Sequence, residues 1–80
     1  MISLSSEVES LLQVLYEQKP SNLRDAVISD VKRIKLNYKE LHGLYVIKCN
    51  RGDVGAVAKL KYTESIREQC RARGIADYSN

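Results

Sequence analysis

His42, Cys49 and Cys70 are the side chains in this 80-residue sequence with the readiest metal-binding or nucleophilic chemistry. A structural zinc site needs four ligands, and these three with a nearby acid fall in no recognised zinc spacing. A catalytic cysteine needs an activating base and an oxyanion site, and the sequence marks neither. No catalytic residue, metal ligand or cofactor is therefore expected. Cys70 reads as a small buried apolar residue, and His42 as a residue at the boundary between surface and core.

A second group of residues points to different chemistry. Lys59, Lys61, Thr63, Ser65, Arg67, Arg71 and Arg73 crowd into residues 59–73. On a helix entering a DNA groove, Thr63, Ser65 and Arg67 would meet base edges, since arginine grips guanine through two hydrogen bonds. Lys59, Lys61, Arg71 and Arg73 would touch phosphate. The same residues also suit a solvated helix surface, where Glu64–Arg67 and Glu68–Arg71 are i,i+3 pairs contributing a few tenths of a kcal/mol each. Glu64 and Glu68 on that face oppose phosphate.

Charge supports a polyanionic or acidic partner. Residues 1–40 carry six Lys/Arg against six acids, and residues 41–80 carry seven against four, so the whole net charge of +3 sits in the second half. A basic patch is the electrostatic footprint of a polyanion partner. Hydrophobic residues make up 44% and charged residues 29%, an ordinary globular mix. No segment approaches the roughly 20 apolar residues of a membrane span. The stretch MISLSSEVES has no basic n-region or apolar run, and two cysteines are too few for a disulfide framework. A reduced, cytoplasmic protein is the expectation, and the RGD at 51–53 reads as a turn.

The elements that must position these residues follow from apolar spacing. Ser6 with Glu9 is a capping-box pattern, and Leu4, Val8, Leu11, Leu12 and Leu15 share one helix face. Lys19-Pro20 ends that helix. Ser21 caps a second, with Leu23, Val27, Val31 and Ile34 as its stripe and Arg24, Lys32, Arg33 and Lys35 in solvent. Residues 1–36 thus read as a helical hairpin. Residues 38–75 read as a helix-turn-helix-like region and 76–80 as a frayed tail, all in one small domain. In so small a chain, Leu4, Val8, Leu11 and Leu15 also suit a homodimer face that supplies missing burial.

Residues 44–62 support two readings. As helix, Tyr38, Leu41, Leu44 and Tyr45 form an amphipathic face that ends at Asn50-Arg51-Gly52. As strands, GLYVIKC and VGAVAKLKY pair across an NRGD turn, with Val54, Ala56, Ala58, Leu60 and Tyr62 alternating. Two alanines and a glycine weaken the strand, so a mainly α fold leads and an α+β hairpin is the alternative. The last helix is capped by Thr63, turns Ile66 and Cys70 inward, and ends at Gly74, with Ile75 packing back in a Schellman ending.

With helices placed this way, KLNYKELHGLYV, Gly52, VAKL and TESIREQ carry a likeness to a known family. Residues Ile34 to Arg73 resemble the carboxy-terminal part of phage antitermination proteins of the Q type and, more broadly, the helix-turn-helix of sigma factor region four. The resemblance implies a phage-type DNA-binding transcription regulator, acting on duplex DNA by site occupancy or by contact with RNA polymerase. The alternative is a small phage-encoded interaction protein that inhibits a host protein by covering an acidic surface. Neither reading involves a membrane or a small-molecule substrate.

Overall fold

A computed structural model describes residues 6–75. Leu4 and the tail at 76–80 lie outside the described residues. The described residues form five helices, α1 (Ser6–Glu17), α2 (Asn22–Ile34), α3 (Tyr38–Asn50), α4 (Val54–Ser65) and α5 (Arg67–Ala72). No strand occurs among the described residues, so the hairpin alternative for 44–62 gives way to helix. The alternating positions of 54–62 do not share a face in α4. Ala56 is buried and Leu60 half-buried, whereas Val54 and Ala58 are exposed, as a 3.6-residue period requires.

Local signals set the helix ends. Ser21 Oγ accepts from the Arg24 amide at 3.0 Å and starts α2. Asn37 and Glu40 form a reciprocal capping box that starts α3. The α3 terminus is a Schellman ending: Asp53 N–H donates to Lys48 O and Gly52 N–H to Cys49 O, with Gly52 at φ 88°. Asp53 Oδ1 then accepts from the Ala56 amide and starts α4. The RGD turn is therefore accounted for by two adjoining caps. At the chain's other end Ile75 N–H reaches Cys70 O and Gly74 N–H reaches Arg71 O, with Gly74 at φ 75°.

Val8, Leu11, Val14 and Leu15 from α1 pack on Val27, Ile28 and Val31 from α2, and on Tyr38, Leu41 and Tyr45 from α3. Ile66 and Cys70 close the cluster from the carboxy-terminal end. Two fully buried tyrosines supply the bulk that a chain without Trp or Phe must find elsewhere. The proposed dimer face is corrected here, because Val8, Leu11 and Leu15 are spent inside the monomer's own core. Ile34 is also displaced from its predicted inward stripe: it is exposed at the end of α2, and Ile28 takes the inward place.

Arg24 is not a solvated residue either. Its guanidinium donates to the carbonyls of Tyr16 and Gln18, both at 3.2 Å, and to Asp25 Oδ1. It thereby satisfies carbonyls at the end of α1 that have no partner within that helix.

Candidate interaction surface

α3 and α4 are joined by the three residues 51–53 and run antiparallel along their whole length. Tyr38 Oη, at the start of α3, donates to Thr63 O, near the end of α4, at 2.6 Å. His42 Nε2 lies 3.3 Å from Glu64 Oε2. Nearer the turn, the Lys59 ammonium sits 5.8 Å from the Tyr45 ring centroid. Contacts at both ends fix a helical hairpin.

The turn also falls in a different place from the one the sequence suggested. α4 continues through Thr63 to Ser65, and only Ile66 separates it from α5. Thr63 does not cap the last helix. It is fully buried inside α4, and its hydroxyl donates back to Leu60 O at 2.8 Å, the usual partner of a threonine inside a helix. α5 starts without a side-chain cap.

The predicted DNA- or partner-binding residues are consequently spread apart. Lys61 and Ser65 are exposed, and the Ser65 hydroxyl donates to Tyr62 O at 2.6 Å. Lys59 is half-buried and its ammonium is 3.1 Å from Asp30 Oδ2. Arg67 is half-buried. Arg71 lies 3.8 Å from Glu68, and Arg73 pairs with Glu17 of α1. Thr63 cannot meet a base edge from the core. Four of the seven side chains are thus turned inward or onto carboxylates of this chain.

Sequence reasoning missed the polar cluster at the centre of the fold. Asp30, on the inward side of α2, is almost wholly buried. Tyr45 Oη donates to its Oδ2 at 2.7 Å, Lys59 Nζ to the same oxygen at 3.1 Å, and Arg33 Nη2 to Oδ1 at 3.0 Å. Burial pushes the Asp30 carboxyl up, but the hydrogen bonds from Tyr45, Lys59 and Arg33, with the Lys59 charge, outweigh it and hold the group below its ordinary value. Burial, then the Asp30 hydrogen bond, push the Tyr45 phenol far up. The signal was available, because Asp30 lies three residues after Val27 on the stripe that continues at Val31.

Among the described residues no group of three His, Cys, Asp or Glu side chains is placed to hold a metal ion. Both thiols are free, and burial pushes Cys70 up to about 11, against a smaller opposing effect of Arg73. His42 is half-buried between Glu64 and the Tyr38 ring, whose centroid is 6.3 Å from its own.

At its turn end the hairpin exposes several apolar side chains. Ile47, in the last turn of α3, is 52% exposed; Val54 and Val57, in the first turn of α4, are 84% and 42% exposed. Gly55 and Ala58 are exposed beside them. Along α4 the first charge is Lys59, so the turn end of the hairpin offers small apolar groups, with Arg51 and Asp53 in the turn itself. No described helix is long and apolar enough to cross a membrane. In comparisons with known proteins, no family model, no curated protein and no solved structure matches this chain.

Proposed function

We propose that this protein is a small helical interaction module that acts by covering a surface on another protein, with the turn end of the α3–α4 hairpin as its contact. The observation that carries this reading is the exposure of Ile47, Val54 and Val57 together around residues 51–53. Exposed apolar side chains grouped on a small protein mark an association surface. Because Ile47 and Val57 are already about half covered, burying what the three side chains still expose contributes roughly 3–5 kcal/mol. Association itself costs about 4–15 kcal/mol. The anchors therefore need a rim, and Arg51, Lys48 and Lys61 suit an acidic one. Inhibition of a host protein by occlusion is the mode of action that fits a chain of this size.

The test compares wild type with Val54→Glu/Val57→Glu as immobilised bait, after circular dichroism has established that both are helical. A protein retained by wild type and lost with the variant supports the reading. Identical retention by both overturns it.

A second reading, a DNA-binding regulator acting by site occupancy or polymerase contact, is favoured by one observation: the net charge of +3 in residues 41–80. It requires duplex binding that weakens steeply with salt through counterion release. Loss of that binding in Arg67→Ala/Arg71→Ala supports it, and absence of binding at low salt removes it.

A further inference from the structure

We propose that the cleft between the end of α1 and the outer side of α2 binds single-stranded nucleic acid, with one base set against the Tyr16 ring and the adjoining phosphate held by Lys32 and Arg33. The cleft is shallow and open to solvent, with a volume of about 450 Å³, and is lined by Tyr16, Asp25, Ile28, Ser29, Lys32 and Arg33. It shares no residue with the turn end of the α3–α4 hairpin and does not depend on the docking proposed there.

The aromatic surface is held outward. Tyr16 is 49% exposed in the last turn of α1 while Leu15 beside it is fully buried. Arg24 fixes this end of the helix, because its guanidinium is bonded to the Tyr16 and Gln18 carbonyls. Ile28, nearly buried, provides an apolar floor, and Ser29 an exposed hydroxyl beside it.

The available charge is positive. Lys32 Nζ and the Arg24 guanidinium carbon lie over the Tyr16 ring, 5.5 and 5.8 Å from its centroid, so a base set against the ring takes the place of one of them. Arg33 is 66% exposed and gives one nitrogen to Asp30, which leaves further N–H donors of its five-donor fork facing water. Asp25 is the one acid of the lining, and Arg24 binds its Oδ1 at 3.0 Å. Asp30 is turned inward to Tyr45 and Lys59.

An aromatic face, an apolar floor and two exposed cations within one cleft match what a single strand offers, a planar base next to a phosphate. A duplex keeps its bases stacked and presents only phosphate to such a site. An acidic peptide would use the cations and leave the ring without a role.

Anisotropy of a short fluorescent oligothymidylate tests this with the full chain, at low and moderate salt. Wild type is expected to bind, and Tyr16→Ala to weaken binding about 5- to 100-fold, with Tyr16→Phe retaining it. Lys32→Gln is expected to weaken binding and to flatten the salt dependence by about one phosphate contact. It leaves the Arg33–Asp30 bond in place, so its reading does not depend on that bond. Absence of binding at low salt, unchanged binding by Tyr16→Ala, or equal affinity for a duplex of the same length would each overturn the proposal. Polyglutamate competing as well as unlabelled oligothymidylate would overturn it too, and would reassign the cleft to acidic peptides.

Discussion

Tyr45 and Asp30 join α3 to α2 through a 2.7 Å hydrogen bond from the phenol to Oδ2, in a region where neither side chain is open to water. A buried carboxylate is costly unless its oxygens are satisfied. Here three donors from three helices or turns of helix converge on it. Lys59 and Arg33 keep part of their side chains in water, so they can be rehydrated if the carboxylate is removed. Tyr45 has no such recourse. Tyr45→Phe is accordingly expected to cost about 1–2 kcal/mol, a drop of about 4–16 °C in Tm. A double-mutant cycle with Asp30→Asn by thermal denaturation should give a coupling energy clearly different from zero. Simple additivity would mean that the bond contributes nothing to stability.

The same carboxylate makes stability depend on pH. The folded Asp30 lies below its ordinary value near 3.8, so the unfolded chain binds more protons in the acid range and stability there rises with pH. The contribution is complete above the unfolded value and is lost as pH falls through the lower, folded value. The Tm gap between wild type and Asp30→Asn should therefore be full at pH 6 and shrink below about pH 4. A gap that stays constant down to pH 3 would exclude this linkage.

Both the legible and the illegible parts of this fold have physical reasons. Val8, Leu11 and Leu15 are at helical spacing and lie on the inward face of α1. Ser21, Gly52 and Gly74 mark ends through chemistry that depends on neighbours only, and the structure uses all three. The inward placement of Ile66 and Cys70, and the return of Ile75, were equally readable. Thr63 was misplaced because a threonine before a glutamate fits a cap as well as a buried back-bonding position, and Tyr38, twenty-five residues away, decides between them. Asp30 stands on a legible α2 stripe, but two of its three partners, Tyr45 and Lys59, come from α3 and α4, so the cluster it anchors is not readable from its neighbours in sequence. Separation also hid the Tyr16 cleft, whose lining pairs the end of one helix with the side of the next.

Cysteine reactivity should separate the two thiols. Cys70 is fully buried, and its burial raises the thiol to about 11, which leaves little thiolate near neutrality. Cys49 is half-buried on α3. A thiol-specific disulfide reagent at pH 7.5 is expected to modify Cys49 first and Cys70 only as fast as the domain opens, with peptide mapping to identify the site. Equal initial rates at both positions would mean that α5 leaves the core far more often than its packing implies.

The burial of Leu11 and Leu15 makes a prediction that separates core from dimer face. If these leucines formed an exposed seam between two copies, changing them would dissociate a dimer and leave a helical monomer. Inside the core, Leu15→Ala removes apolar contacts and opens a cavity, at a cost of about 2–5 kcal/mol. That is a large share of the roughly 5–15 kcal/mol that holds a typical domain together, and a chain of this size stands at the lower end. Circular dichroism with sedimentation analysis should show Leu15→Ala losing cooperative helical structure at a lower temperature than wild type, with no change in mass at low temperature. A variant that keeps the wild-type Tm but sediments at half the mass would restore the seam.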